Sequence, residues 1–298
     1  MKTVSAASLG SICAGFEDSN RHAAFFDFVP KVFGQNADFL RWYQAGGWDS
    51  RYRSFALLTE AGEIVANVSV TQMNLVLEGE PLRGFQFGAV GTVPAWRDQG
   101  LQRRLLDEVI EVLEPQADLL LLFANDRVVD FYPRFGFQRQ SEQVFGDDHA
   151  IVPGPKVAPL ELGSPESQAL LRRLCRSARP VTGRFGAYDY GSVLFWHVLS
   201  YFARDVFYFP EHDAVIVARR RERTLTLFDI LSTEAFDLAP LLAGIVDEPI
   251  ERLEFEFAPE RWWPSAVPVR PYTDSPLFVR SSRSMPIEPF KFPTLAHT

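Results

Sequence analysis

The residues whose spacing could do chemistry begin at a glycine-bearing turn. An apolar strand from Phe85 ends at Thr92-Val93-Pro94, and the turn Ala95-Trp96-Arg97-Asp98-Gln99-Gly100 follows. Leu101, Leu105, Val109 and Val112 then recur near one face of a helix. Strand, turn, helix is the order that aims free backbone N–H groups and the positive end of a helix dipole at an anion. Arg97, Arg103 and Arg104 add charge suited to phosphate oxygens, unless they form a solvated face paired with Asp107 and Glu108. A second group lies downstream, where Asn125 precedes Tyr132-Pro-Arg-Phe-Gly136-Phe137. Asn125-Asp126 reads as the cap of a helix over 127–135, and Gly136 as its C-terminal stop.

Together these stretches resemble the GCN5-related N-acetyltransferases. Arg97-x-x-Gly100-Leu101-Gln102 is similar to that family's acyl-CoA loop, Gln/Arg-x-x-Gly-x-Gly/Ala. Asn125 followed by Tyr132-x-x-x-Gly136-Phe137 resembles its later motif. The resemblance implies the acyl-CoA N-acyltransferase fold, acetyl-CoA as co-substrate and direct acetyl transfer to a primary amine. It implies that backbone groups at Val90, Gly91 and Thr92, on a splayed strand, bind the pantetheine arm and the thioester. It implies a pyrophosphate over Asp98, Gln99, Gly100, Leu101, Gln102 and Arg103, with Arg97 beside it. Asn125 would hold the cofactor through its amide or a water, or serve only as a cap. Tyr132 would protonate the departing thiolate, or pack as a buried helix tyrosine.

On physical grounds, a glycine at 91 permits close approach of another group, or marks a bulge. Gln102 replaces the usual Gly or Ala and brings a larger side chain toward the phosphates. Asp98 is an acid inside an anion loop. The strand from Phe85 to Val93 carries no Asp, Glu or His, and nothing singles out Glu17, His22 or Asp27. The general base therefore stays unassigned, with a water chain or the chain terminus to serve. A catalytically silent acyl-CoA-binding module is the alternative function.

The elements that must position these residues follow from periodicity. An edge strand is expected within residues 1–16, then helices over 17–29 and 36–44, the second stopped by Gly46-Gly47. Trp42, Tyr43 and Trp48 are candidates for the acceptor-pocket wall, or for ordinary packing. Strands are expected over 51–58, 64–74 and 83–93. The run Asp118-Leu-Leu-Leu-Leu-Phe-Ala124 reads as a strand buried on both faces, and 138–145 as a further strand. Strands first, then strand and helix in alternation, predict an α/β (α+β) mixed sheet with helices on both faces.

A Pro- and Gly-rich stretch separates two halves, giving a catalytic domain over 1–147, a linker over 148–163 and a second domain over 164–298. The second half repeats the element order: helices over 166–176 and 190–199, strands over 206–209, 214–218 and 224–231, a helix over 234–246, a strand over 251–257. A possible last strand covers 277–280. This order suggests a second, degenerate unit of the same fold. Its turn, Ser232-Thr233-Glu234, lacks Arg-x-x-Gly, and Glu234 and Asp237 stand where a pyrophosphate needs donors. The second half is expected to bind no CoA, and to close the acceptor pocket or form a homodimer contact.

Composition bounds the partners. The 298 residues carry a formal charge of -8, which disfavours a phosphate-backbone binder and suits a cationic amine. No nucleic-acid partner is expected, and Arg219-Arg220-Arg221-x-Arg223 reads as an exposed turn. The 2 cysteines, Cys13 and Cys175, make neither a metal spacing nor a disulfide framework, so no metal is expected and the chain reads as cytoplasmic. Serines interrupt the apolar N-terminal run, which does not read as a secretory leader, and no stretch has the length and apolarity of a membrane span. The acceptor is a small-molecule or peptide amine whose identity the sequence does not name.

Overall fold

The long apolar run of Ile64–Leu77 makes the central strand of the larger sheet, and neighbouring elements take their register from it. The structure is a computed structural model that describes residues 9–15, 17–34 and 36–298. In chain order the elements are β1 (Gly10–Ala14), α1 (Ser19–Val32), α2 (Asn36–Gln44), β2 (Tyr52–Leu58), β3 (Ile64–Leu77), β4 (Glu80–Thr92), α3 (Leu101–Leu113) and β5 (Leu119–Phe123). There follow β6 (Gln138–Arg139), β7 (Glu142–Asp147), α4 (Pro165–Ser177), β8 (Phe185–Tyr188), α5 (Gly191–Ser200), β9 (Val206–Phe209) and β10 (Ala214–Arg221). The last are β11 (Thr224–Leu231), α6 (Leu238–Ile245), β12 (Arg252–Phe255), β13 (Val267–Tyr272) and β14 (Leu277–Arg280). β1 is the edge strand expected within residues 1–16; residues 1–8 and 16, most of the stretch read against a leader, lie outside the described residues. Among the described residues no helix is long and apolar enough to cross a membrane.

Two mixed sheets result. The first runs β1-β2-β3-β4-β5-β14-β6, with β8 pairing the far end of β3. The second runs β13-β7-β12-β11-β10-β9. Strands cross the expected domain boundary in both directions. β7 precedes the expected linker yet joins the second sheet, while β8 and β14 follow it and join the first. The linker itself is pinned to the second sheet, through Gly154 N to Ala243 O (2.7 Å), Val157 N to Gly244 O (2.9 Å) and Leu160 N to Val206 O (2.7 Å).

β5 lies between two cores, as its unbroken leucines require. Leu119 and Leu121 face the side covered by α1, α2 and α5, and Leu120 and Leu122 face α3. On α3 the residues Leu101, Leu105, Leu106, Val109, Ile110 and Leu113 form one buried stripe. At about 1.5–3 kcal/mol for each fully buried large apolar side chain, that stripe fixes the helix on the sheet far more firmly than propensity does.

Four expectations change. The helix expected over 127–135 is two 3-10 turns, Asp126–Val128 and Tyr132–Phe135. Pro133 explains this, because it has no N–H to donate and its ring crowds an α-helical carbonyl one turn back. The helix expected from 234 starts at Leu238, where Asp237 caps it by accepting from Ala239 N (3.2 Å). β8 was not anticipated. Nor was β13, whose Pro268 and Pro271 read as loop; it lies at a sheet edge, where strand prolines are tolerated.

Candidate functional site

The site starts where β4 and β5 part. They pair in parallel from Gly84↔Leu119 to Phe87↔Leu122 and no further. Beyond that point Ala124 N donates to Pro276 O (2.9 Å), so the end of β5 is drawn toward β14. β4 stays with β3 but bulges there: the register shifts between Asn67 and Ser69, and Ala89 has φ of 43°. Strand backbone groups alternate in direction, so this part of β4 presents donors and acceptors to a gap that no strand fills.

Asn67 holds the bulge, and sequence reasoning passed over it. It is fully buried, donates from Nδ2 to Ala89 O (2.9 Å) and Ser69 Oγ (3.0 Å), and accepts from Ser54 Oγ (2.6 Å). The available signal was a lone amide within the apolar run Ile64 to Val70. Gly91 returns to the β3 ladder opposite Asn67, and a Cβ there would lie 2.6 Å from Val32 Cγ1. Its lack of a side chain serves the packing of α1 against β4.

The anion-type loop has the expected form. Gly100 is the N-cap of α3 in the left-handed region, φ 73°, with open space where a Cβ would be. No side chain caps the helix, so its first-turn N–H groups face outward. Arg97, Asp98, Gln99, Gly100 and Arg103 are exposed, while Leu101 is buried. Arg97 folds back, donating from Nε to Thr92 O (3.2 Å), and Arg104 pairs with Glu108 (2.8 Å). Gln102 does not crowd the loop: its Oε1 accepts from Thr92 Oγ1 (3.0 Å) and its Nε2 donates to Asn67 O (3.4 Å). The side chain expected near the phosphates is turned onto β3 and β4.

Tyr132 is buried on the α3 face, its ring 5.6 Å from Phe131, 6.0 Å from Phe278 and 6.3 Å from Phe137. Among the described residues its hydroxyl has no hydrogen-bond partner, and burial pushes its pKa up to about 12. Asn125 is exposed and caps the first 3-10 turn, with Oδ1 accepting from Arg127 N (3.1 Å). His22 is a core residue stacked on Trp48 (3.9 Å) and hydrogen-bonded with Tyr43 OH (3.1 Å) and Gly15 O (3.0 Å). Of the three aromatic candidates for the acceptor wall, Trp42 lines a cavity on the face opposite α3; Tyr43 and Trp48 do not. Glu17 and Asp27 are exposed and also lie away from it.

This cavity, of about 270 Å³, abuts the gap at Gly88 and Ala89. A strap formed by residues 290–298 closes one side. Gln86 Nε2 donates to Ala296 O (2.7 Å), Thr298 N to Gln86 Oε1 (2.6 Å), and Thr298 Oγ1 to Phe87 O (3.1 Å), the last residue of β4 paired with β5. Lys291 anchors the strap in the interior, with Nζ 2.9 Å from Phe292 O, 3.4 Å from Glu142 Oε1 and 3.8 Å from the Tyr272 ring.

The second sheet has a matching parallel pair, β11 with β12, joined through α6. Its exit is bridged by chain: Arg179 N donates to Ser232 O (3.0 Å), Arg261 Nη1 to Pro180 O (2.9 Å) and Trp262 Nε1 to Val181 O (3.1 Å). The arginine run, expected as an exposed turn, lies largely in the end of β10, with Arg219 and Arg220 half-buried, and is ion-paired, Arg219 with Asp205, Arg220 with Asp247 and Glu248, and Arg223 with Glu251.

Residues 18–139 match the family model of the acetyltransferase (GNAT) domain. No curated protein matches the chain in sequence. Among solved structures, a conserved protein of unknown function from Enterococcus faecalis V583, a probable N-acyltransferase, is 14% identical with a TM-score of 0.57, over 91% of this chain and 71% of that one. A GCN5-related N-acetyltransferase from Kribbella flavida is 12% identical with a TM-score of 0.56, over 93% and 72%. Eis1 from Mycobacterium abscessus is 16% identical with a TM-score of 0.55, over 90% and 73%. At such identities the likeness is one of fold.

Proposed function

We propose that the chain, whose residues 18–139 match the acetyltransferase (GNAT) domain model, is an acetyl-CoA-dependent N-acetyltransferase of the GCN5-related superfamily acting on a primary amine. The carrying observation is the gap between β4 and β5, flanked on one face by the uncapped N-terminus of α3 and on the other by the cavity. In this reading the exposed N–H groups around Gly100, with Arg97 and Arg103, receive the pyrophosphate of the co-substrate. Backbone groups at Val90, Gly91 and Thr92 receive its pantetheine arm, and Asn125 holds the cofactor through its amide or a water. The neutral amine attacks the thioester carbonyl carbon directly, the C–N bond forms and the C–S bond breaks, and the nitrogen gives up its surplus proton to solvent water, from which the phenol that protonates the sulfur is restored. Tyr132 is assigned as the general acid. Its phenol is protonated at neutral pH, as any tyrosine's is, and burial raises its pKa further, so it can hydrogen-bond to the leaving sulfur and then pass it the proton.

We assign the chain to two units in sequence order, 1–147 and 164–298 with the connector 148–163, that exchange β7, β8 and β14. The second unit is proposed to bind no CoA. Its helix N-terminus is already capped by Asp237, and residues 179–181 bridge the exit of its parallel pair.

The test is thiol release from acetyl-CoA with a panel of amines, using the whole chain and Tyr132→Phe. General acid catalysis contributes roughly 10²–10⁴-fold. The variant should therefore lose at least ten-fold in turnover while its acetyl-CoA affinity stays the same; unchanged turnover rejects the assignment of Tyr132. A silent acyl-CoA-binding module is the second reading, favoured by a cavity with no charged side chain in its lining. Acetyl-CoA binding without thiol release on any amine would select it.

A further inference from the structure

The cavity beside the gap has a chemistry of its own, and that chemistry bears on the acceptor only if the acetyltransferase reading holds. Five of its walls are aromatic: Phe33, Phe39, Trp42, Tyr52 and Trp196. Phe39 and Trp196 stand 4.6 Å apart at 49°, and Trp42 and Tyr52 5.0 Å apart at 70°. None of the lining residues carries a charged side chain. Much of the polar capacity is already used, since Trp42 Nε1 donates to Ser192 O (2.8 Å) and Ser192 Oγ to Gly47 O (2.6 Å).

We infer that the acceptor is a small arylalkyl primary monoamine, its ring held among Trp196, Phe39 and Trp42 and its amine at Gly88 and Ala89. Size agrees. A cavity of roughly 150 Å³ takes a benzene ring, and this one, at about 270 Å³, has room for a ring and a short alkyl arm. Charge agrees as well. A polyamine or aminoglycoside would bury several ammonium groups among side chains none of which is a carboxylate, and each unpaired buried charge is costly. An aromatic ring with one amine leaves a single charge to deal with. The aromatic faces attract that charge as the ligand enters. The apolar surroundings then disfavour the ammonium and lower its pKa. Transfer needs the neutral amine, so the cavity supplies through desolvation part of what a general base would supply. This accounts for a site in which neither Glu17, His22 nor Asp27 reaches the acceptor.

The experiment measures thiol release by the full chain with acetyl-CoA and 2-phenylethylamine, tryptamine, n-butylamine, spermidine, kanamycin or lysine. The arylalkylamines should exceed every other amine at least ten-fold in kcat/KM. Trp196→Ala should raise the KM for 2-phenylethylamine about ten-fold and leave the KM for acetyl-CoA unchanged. Phe39→Leu, a milder change, should do the same to a smaller extent. Equal or better turnover of spermidine or kanamycin overturns the inference, as does an aromatic preference that survives both substitutions. So does an octanoyl-CoA preference with no aromatic selectivity, which would make the cavity an acyl-chain site. Calorimetry with acetyl-CoA on the same preparation separates the two levels. No acetyl-CoA binding removes the acetyltransferase reading itself, whereas binding with turnover of other amines alone removes only the acceptor class. If no amine turns over, failure of 2-phenylethylamine to bind the protein–CoA complex removes it too.

Discussion

Substituting Lys291→Met should break the best-buried ion pair among the described residues while keeping most of the side-chain volume. Lys291 is fully buried and Glu142 only 3% exposed. Glu142 Oε1 accepts from Phe292 N (2.8 Å) and lies 3.4 Å from Lys291 Nζ, while Oε2 has no partner among the described residues. Burial lifts the Glu142 carboxyl above its ordinary range, and Lys291 opposes that lift. With the ammonium gone, a carboxylate is left inside with a single backbone donor. Breaking a buried pair from one side costs about 3–5 kcal/mol, and at roughly 2–4 °C per kcal/mol for a chain of this class Tm should fall by about 10 °C. Glu142→Gln combined with Lys291→Met removes both charges and should recover most of the loss. The sign of the pH effect follows from the raised pKa. A carboxyl whose folded pKa lies above its unfolded value destabilises most at high pH and is relieved as protonation neutralises it. The gap between the single and double variants should therefore narrow from pH 8 to pH 5. Urea denaturation across that range is the assay. A single variant within about 1 kcal/mol of the parent, or a double variant no more stable than the single one, would refute the reasoning. Because the strap carries Thr298 to Gln86 and Phe87, the single variant should also show a higher acceptor KM with acetyl-CoA affinity preserved.

Other consequences are measurable. Gly100→Ala strains the left-handed conformation at φ 73° by about 1–2 kcal/mol; the free loop should relax out of it and repay that cost on binding, so acetyl-CoA should bind roughly ten-fold more weakly by calorimetry, and an unchanged Kd with unchanged stability would contradict this. Asp229 is fully buried and accepts from Tyr190 OH, and burial lifts its pKa to about 6. Its folded pKa exceeds the unfolded one, so stability should decline as pH rises from 4 through 6, and Asp229→Asn should flatten that decline in denaturation experiments between pH 4.5 and 8.

The signals legible in the sequence were local. The turn at Arg97 to Gly100, the doubly buried run of β5 and the strand Leu277–Arg280 each carry their own signal within a few residues. The partners of these elements do not. Nothing near Leu277 says that it will lie beside Phe123, and nothing near Gln86 says that its amide will be satisfied by Ala296, 210 residues away. The acceptor wall shows the same limit. Trp42, Tyr43 and Trp48 sit within one short stretch, yet only Trp42 reaches the cavity, because His22 stacks on Trp48 and hydrogen-bonds with Tyr43. Trp196, on the opposite wall, comes from the second half of the chain and had no local mark. Pro133 was a legible helix breaker overridden by the attraction of the surrounding motif.

The most direct measurement is calorimetric titration of the whole protein with acetyl-CoA, backed by a melting scan. Acetyl-CoA should bind saturably, near one per chain. At a ligand concentration 100-fold above Kd, linkage adds about 2.7 kcal/mol of stability, seen as a rise in Tm of several degrees that Gly100→Ala diminishes. No heat of binding and no change in melting at millimolar acetyl-CoA would contradict it.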